Sequence, residues 1–162
     1  TEKHILAEYP NVVKKKQTKI SRHLLFIERN LNFVKDGGRL AIVLPQGVFN
    51  NTSEKYIRDF LANKARILAV VGLDVNTFKP HTGTKTSVIF LQKWDKKKCP
   101  QVADYPIFFA VSEKSGKNNS GEYVYKEVDG EMILQHDLDE IADEFVKWAK
   151  EEGLEFWGEN VK

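Results

Sequence analysis

Five apolar residues, Ile20, Leu24, Ile27, Leu31 and Val34, recur at intervals of 4, 3, 4 and 3. That spacing puts them on one face and predicts a helix over 20–35. Gly37-Gly38 predicts where it stops, because glycine takes the left-handed cap conformation at little steric cost. The period then changes. Leu40-Ala41-Ile42-Val43-Leu44 is a short unbroken apolar run between Gly-Gly and Pro45, which predicts a strand buried on both faces. Pro45 to Asn51 reads as a loop. Thr52 or Ser53 is placed to cap a second helix, with Ile57, Phe60 and Leu61 facing inward. Ile67 to Leu73 predicts a second buried strand, so 39–73 reads as two parallel strands joined by a right-handed crossover helix. Thr86 to Leu91 predicts a third strand. Asp74 to Lys85 is too short, and too rich in glycine, proline and threonine, for a crossover helix. The third strand is therefore expected to run antiparallel to the second.

Pro100 and Pro106 flank a new start. Ile107 to Val111 predicts a strand, Lys114 to Gly121 a polar loop, and Glu122 to Val128 a weaker strand. Asp137 is expected to open a last helix, with Glu140 placed for a capping box. Leu138, Ile141, Phe145, Trp148 and Ala149 form its inner stripe, and Gly153 ends it. The expected organisation is α/β, with a basic loop or arm over 1–19, a sheet portion over 20–98, and an extension over 99–162 made of a small hairpin and a terminal helix.

Composition narrows the function classes. Of 162 residues, 41% are hydrophobic, enough for a real core. Lys plus Arg number 25 against 23 Asp plus Glu, so any basic footprint must be local. The candidates are Lys14, Lys15, Lys16 and Lys19, and the run Lys96 to Lys98; each reads either as a solvated face or as phosphate contacts. Cys99 is the only cysteine, which excludes an internal disulfide and a thiolate zinc site, and fits a reducing cytoplasm. No apolar run approaches the roughly 20 residues that span a bilayer, so no membrane partner is expected. Thr1-Glu2-Lys3-His4 reads neither as a signal peptide nor as a start with an initiator Met. A piece of a longer chain is the expectation.

The sequence holds no phosphate loop, no G-x-G-x-x-G, no H-E-x-x-H and no G-x-S-x-G elbow, and its four His are scattered. Architecture is then the guide, because an open parallel sheet binds ligands beyond the carboxyl ends of its strands. Two polar loops lie there, Pro45 to Asn51 and Asp74 to Lys85, with one aromatic each, Phe49 and Phe78. Phe78-Lys79-Pro80-His81-Thr82-Gly83-Thr84-Lys85-Thr86 is the more informative. Threonine hydroxyls and lysines contact phosphate oxygens, and a Phe face stacks on a base. The alternative is a hairpin loop whose Phe78 covers the edge of the core.

Several blocks in order resemble a known family: Leu25 to Arg29, Gly37 to Val48, Thr77-Phe78, and Thr82 to Phe90. Pro106 to Val111 with Lys117 to Gly121 also resembles the next segment of that family. The chain is similar to the modification subunits of type I restriction–modification systems, adenine-N6 DNA methyltransferases that use S-adenosylmethionine. The likeness covers most of 20–125. It implies the C-terminal portion of a Rossmann-like methyltransferase sheet whose last strand is antiparallel. It also implies that Phe78 stacks on an extruded adenine, that Thr84, Lys85 and Thr86 lie near the base pocket or DNA backbone, and that Pro45 and Gln46 line the pocket wall. Lys14, Lys15, Lys16 and Lys19 become candidates for backbone contacts, and no catalytic residue or metal ligand is assigned in this chain. The implied partners are double-stranded DNA and the specificity and restriction subunits of the same system. Two family motifs are missing, the glycine-rich turn for the methyl donor and the Asn-Pro-Pro-aromatic clamp for the adenine. The chain alone is therefore expected to bind no S-adenosylmethionine and to methylate nothing. A small α/β module that binds protein or nucleic acid without catalysis is the alternative. A fragment of an unrelated Rossmann enzyme is a third reading, which an antiparallel third strand disfavours.

Overall fold

The computed structural model describes residues 21–154, so Lys14, Lys15, Lys16, Lys19 and Ile20 lie outside the described residues. The chain divides into two compact units, one of residues 1–72 and 85–109 and one of residues 73–84 and 110–162.

In the first unit, helix α1 (Arg22–Phe33) buries Leu24, Ile27 and Leu31, as the spacing predicts. It ends before the glycine pair. Val34 closes it by donating its N–H to the Asn30 carbonyl. The glycines serve the next turn instead. Gly38 donates to Lys35 O at 2.8 Å, and Gly37 adopts φ +73° at the third turn position, where a positive φ favours glycine. Gly37 N–H then donates to Lys93 O, and Lys93 N–H to Gly38 O, which ties this turn to the end of a strand. The helix stops at Phe33 because the Val34 backbone is already extended, at φ −76° and ψ 126°.

Strands β1 (Arg39–Pro45), β2 (Ala65–Gly72), β3 (Thr86–Lys93) and β4 (Phe108–Val111) form one sheet in the order β1-β3-β2-β4. Both β1 and β2 run antiparallel to β3, and so parallel to one another. The expected directions are therefore present. The added finding is that β3 lies between the two parallel strands and hydrogen-bonds to both. A bulge at Leu68 shifts the β2 register.

The expectation that β1 is buried on both faces is corrected. Its burial alternates: Ile42 and Leu44 are enclosed, whereas Ala41 and Val43 are exposed. The core of this unit lies on one face of β1, where Ile42, Leu44, Ile89 and Leu91 meet Leu24, Ile27 and Leu31 of α1 and Ile57, Phe60 and Leu61. Those last three belong to α3 (Lys55–Lys64), the crossover helix. The stretch after β1 is not a plain loop, since α2 (Gly47–Asn50) forms a single helical turn that buries Val48. Neither Thr52 nor Ser53 caps α3. They lie in a 3-10 turn, Thr52–Glu54, and Glu54 holds the cap position without a side-chain hydrogen bond.

In the second unit, β5 (Tyr125–Val128) and β6 (Glu131–Leu134) form an antiparallel hairpin through Asp129-Gly130, both at positive φ. The Asp-Gly pair is the residue signal for such a turn. Helix α4 (Leu138–Glu151) comes next. No capping box forms. The Asp137 carboxylate accepts instead from Ser112 Oγ at 2.6 Å and from the N–H groups of Glu113 and Lys114. The inner stripe is also only partly inner. Ala149 is buried, Ile141, Phe145 and Trp148 are half-buried, and Leu138 is exposed. Gly153 ends the helix as expected: it donates to Lys150 O, while Leu154 donates to Ala149 O, a Schellman pair.

Candidate nucleic-acid interface

The register fixes which strand ends share a rim. Pro45 faces Thr86 across β1 and β3, and Gly72 faces Ser87 across β2 and β3. The carboxyl ends of both parallel strands therefore lie where β3 begins. Gln46 N–H donates to Lys85 O at 3.0 Å. Pro45, Gln46, Lys85 and Thr86 are thus brought together in the first unit. Pro45 and Lys85 are exposed and Gln46 is half-buried. Thr86 Oγ1 is sealed from solvent with no hydrogen-bond partner among the described residues. Arg58 holds the neighbouring turn, donating from Nη1 to Val48 O at 2.8 Å and Asn51 O at 3.0 Å. Sequence reasoning missed it, because an arginine on a helix carries no mark of its reach.

Phe78 and Thr84 belong to the second unit, on the bend between β2 and β3. This bend is ordered by its own hydrogen bonds. Thr77 Oγ1 donates to Asp74 O at 2.7 Å, Lys79 N–H to Asn76 O at 3.0 Å, and Thr82 N–H to Phe78 O at 3.1 Å. Thr82 and Thr84 join through their hydroxyls at 3.0 Å. Phe78 keeps 37% of its surface exposed, and Thr82 to Thr84 are exposed beside it in sequence. Lys117 Nζ donates to the carbonyls of Thr77 and Lys79. Ser115 Oγ donates to the Asp74 carboxylate. Periodicity does not mark residues 115–117 as a support, since they lie about forty positions away; Lys117 is marked only as the first residue of a block that resembles the family.

Lys96, Lys97 and Lys98 are exposed on a tight turn. The Asp95 carboxylate accepts the Lys98 and Lys97 N–H groups at 2.6 and 2.9 Å, and these bonds, Lys98 first, hold its pKa below the ordinary value. Burial pushes the Cys99 thiol up. Among the described residues no group of three or more His, Cys, Asp or Glu is placed to hold a metal, and no helix is long and apolar enough to cross a membrane.

The family model described as N-6 DNA methylase matches residues 4–161. The chain belongs to that family. The type I restriction enzyme EcoEI methylase subunit of Escherichia coli is 33% identical over 70 residues, which is 43% of this chain and 14% of that subunit. The N-6 DNA methylase chain also shares its fold with a solved protein from Listeria monocytogenes assigned to the class I S-adenosylmethionine-dependent methyltransferases. The TM-score is 0.52 at 21% identity, over 86% of this chain and 39% of that one. The chain thus spans well under half the length of either relative.

Proposed function

We propose that this chain supplies the target-base side of the active-site rim of a site-specific adenine-N6 DNA methyltransferase of a type I restriction–modification system. Its partners on this reading are double-stranded DNA and the specificity and restriction subunits of that system, and its compartment is the cytoplasm. The observation that carries the reading is the half-exposed Phe78 ring on an internally hydrogen-bonded bend, entered from the carboxyl end of β2 and left at the start of β3.

The chemistry asked of these residues is positional. The adenine amine is a poor nucleophile because its lone pair is delocalised into the ring, and the base must leave the stack before it reacts. An aromatic face replaces the lost stacking. Thr84 and Lys85 offer a hydroxyl and an ammonium to a phosphate or a base edge, whereas the Thr86 hydroxyl is sealed from solvent and offers nothing outward in this chain. Pro45 and Gln46 form a stiff wall and an amide for the pocket.

The family implies S-adenosylmethionine as methyl donor. The residues in hand do not fit it. No G-x-G turn occurs in the 162 residues. Pro45, Gln46, Lys85 and Thr86 offer no carboxylate for ribose hydroxyls, and Lys85 repels a sulfonium. No Pro-Pro occurs either, so the amine-gripping clamp is not among these residues. The chain alone is expected to transfer no methyl group.

Phe78→Ala in the assembled methyltransferase tests the reading. Stacking on an aromatic side chain contributes about 1–3 kcal/mol per base, so methylation should fall by roughly 5- to 150-fold. Unchanged methylation of duplex DNA removes Phe78 from the site and the reading with it.

A further inference from the structure

We infer that Lys117 is a positioning residue for Phe78, fixing the direction of that ring from behind the bend; the inference rests on the base-side reading above. Lys117 Nζ donates to Thr77 O at 3.2 Å and to Lys79 O at 2.9 Å. These carbonyls flank Phe78 in the chain, one on each side. An ammonium bridging them ties the Thr77–Phe78 peptide plane, which borders Phe78, to the Lys79–Pro80 plane one residue further on, and so limits the backbone rotations between them that aim the ring.

The clamp is itself held. The Tyr123 ring faces the ammonium at 5.4 Å, a cation–π contact that limits where Nζ swings. Asn76 Nδ2 donates to the carbonyl of Lys117 at 3.4 Å, so the bend also grips the backbone that carries the clamp. Gly121 comes closer still. It has φ +90°, and a Cβ there would stand 2.5 Å from Pro80 N and 2.7 Å from the Lys79 carbonyl carbon. Only glycine allows that approach. Asn118 Oδ1 accepts the N–H groups of Ser120 and Glu122, which stiffens the same stretch. The bend is thus backed by a rigid loop on one side, while Phe78 keeps an exposed surface. Small errors in the placement of such a group cost rate steeply.

The test uses the assembled methyltransferase and duplex DNA with 2-aminopurine at the target adenine. Lys117→Met keeps the side-chain length and removes the donors. Methylation kcat should fall about tenfold with the KM for the methyl donor unchanged. The aminopurine fluorescence of the complex should move toward that of Phe78→Ala, and Lys117→Arg should recover most of the rate. The double variant should be no slower than Phe78→Ala alone. A wild-type rate and fluorescence for Lys117→Met overturns the inference, as does a double-variant loss equal to the product of the single losses. If Lys117→Met does not fold, Tyr123→Leu carries the test, with a two- to threefold loss expected and a wild-type rate overturning it. The two readings separate cleanly. Loss in Phe78→Ala without loss in the clamp variants sinks only the clamp, whereas no loss in Phe78→Ala sinks the base-side reading itself.

Discussion

Thr86 faces Pro45 across the β1–β3 ladder, and its hydroxyl oxygen is shielded from solvent without a hydrogen-bond partner among the described residues. A buried polar atom left unpaired is destabilising, and an isosteric apolar replacement removes that cost. Thr86→Val should therefore leave the chain as stable, or more stable by up to about 1 kcal/mol. Thermal melts of this variant check the prediction, and a lowered melting temperature sinks it.

Asp137 predicts the acid response of the second unit. Burial pushes its carboxyl up, but the hydrogen bonds from Ser112, Glu113 and Lys114 outweigh burial and hold the pKa below the ordinary value. A depressed carboxylate contributes stability that is fully present above its unfolded pKa, about 3.9, and lost as pH falls through the lower folded value. Asp137→Asn should thus lower the melting temperature at pH 7, and the gap to wild type should close below about pH 4. A gap that stays constant from pH 7 to pH 3 would show that the charge on Asp137 contributes nothing.

Much of the local structure was legible in residue spacing. The stripe Leu24, Ile27 and Leu31 and the trio Ile57, Phe60 and Leu61 are buried where periodicity puts them. The brevity of the segment after β2 implied the antiparallel direction of β3, because a chain that cannot cross over must turn back. What spacing cannot carry is the identity of partners far along the chain. Nothing in the run Thr86 to Leu91 says that it slots between β1 and β2. The Asp137 carboxylate serves a hydroxyl 25 positions away rather than its own helix, so a local capping rule misreads it. The candidates Phe78, Thr84, Lys85 and Thr86 come from composition, loop position and family resemblance, whereas the reach of Lys117 and Arg58 could not be read that way. Each acts on backbone carbonyls, which every residue has and no motif marks.

Adjacent residues on β1 give the sharpest check on burial. Ile42 retains 3% of its surface and Val43 46%, so the run that reads as apolar throughout has two different faces. Ile42→Ala removes atoms packed among Leu44, Ile89, Leu91 and Ile27, and the cavity adds to the lost transfer energy; about 2–5 kcal/mol is expected. Val43→Ala removes atoms that already meet water, so the change should stay within about 1 kcal/mol. Urea unfolding of both variants at equal m-value separates the cases. A cost at Val43 equal to that at Ile42 would mean that the second face of β1 is covered in solution, and the apolar run would then have reported burial on both faces after all.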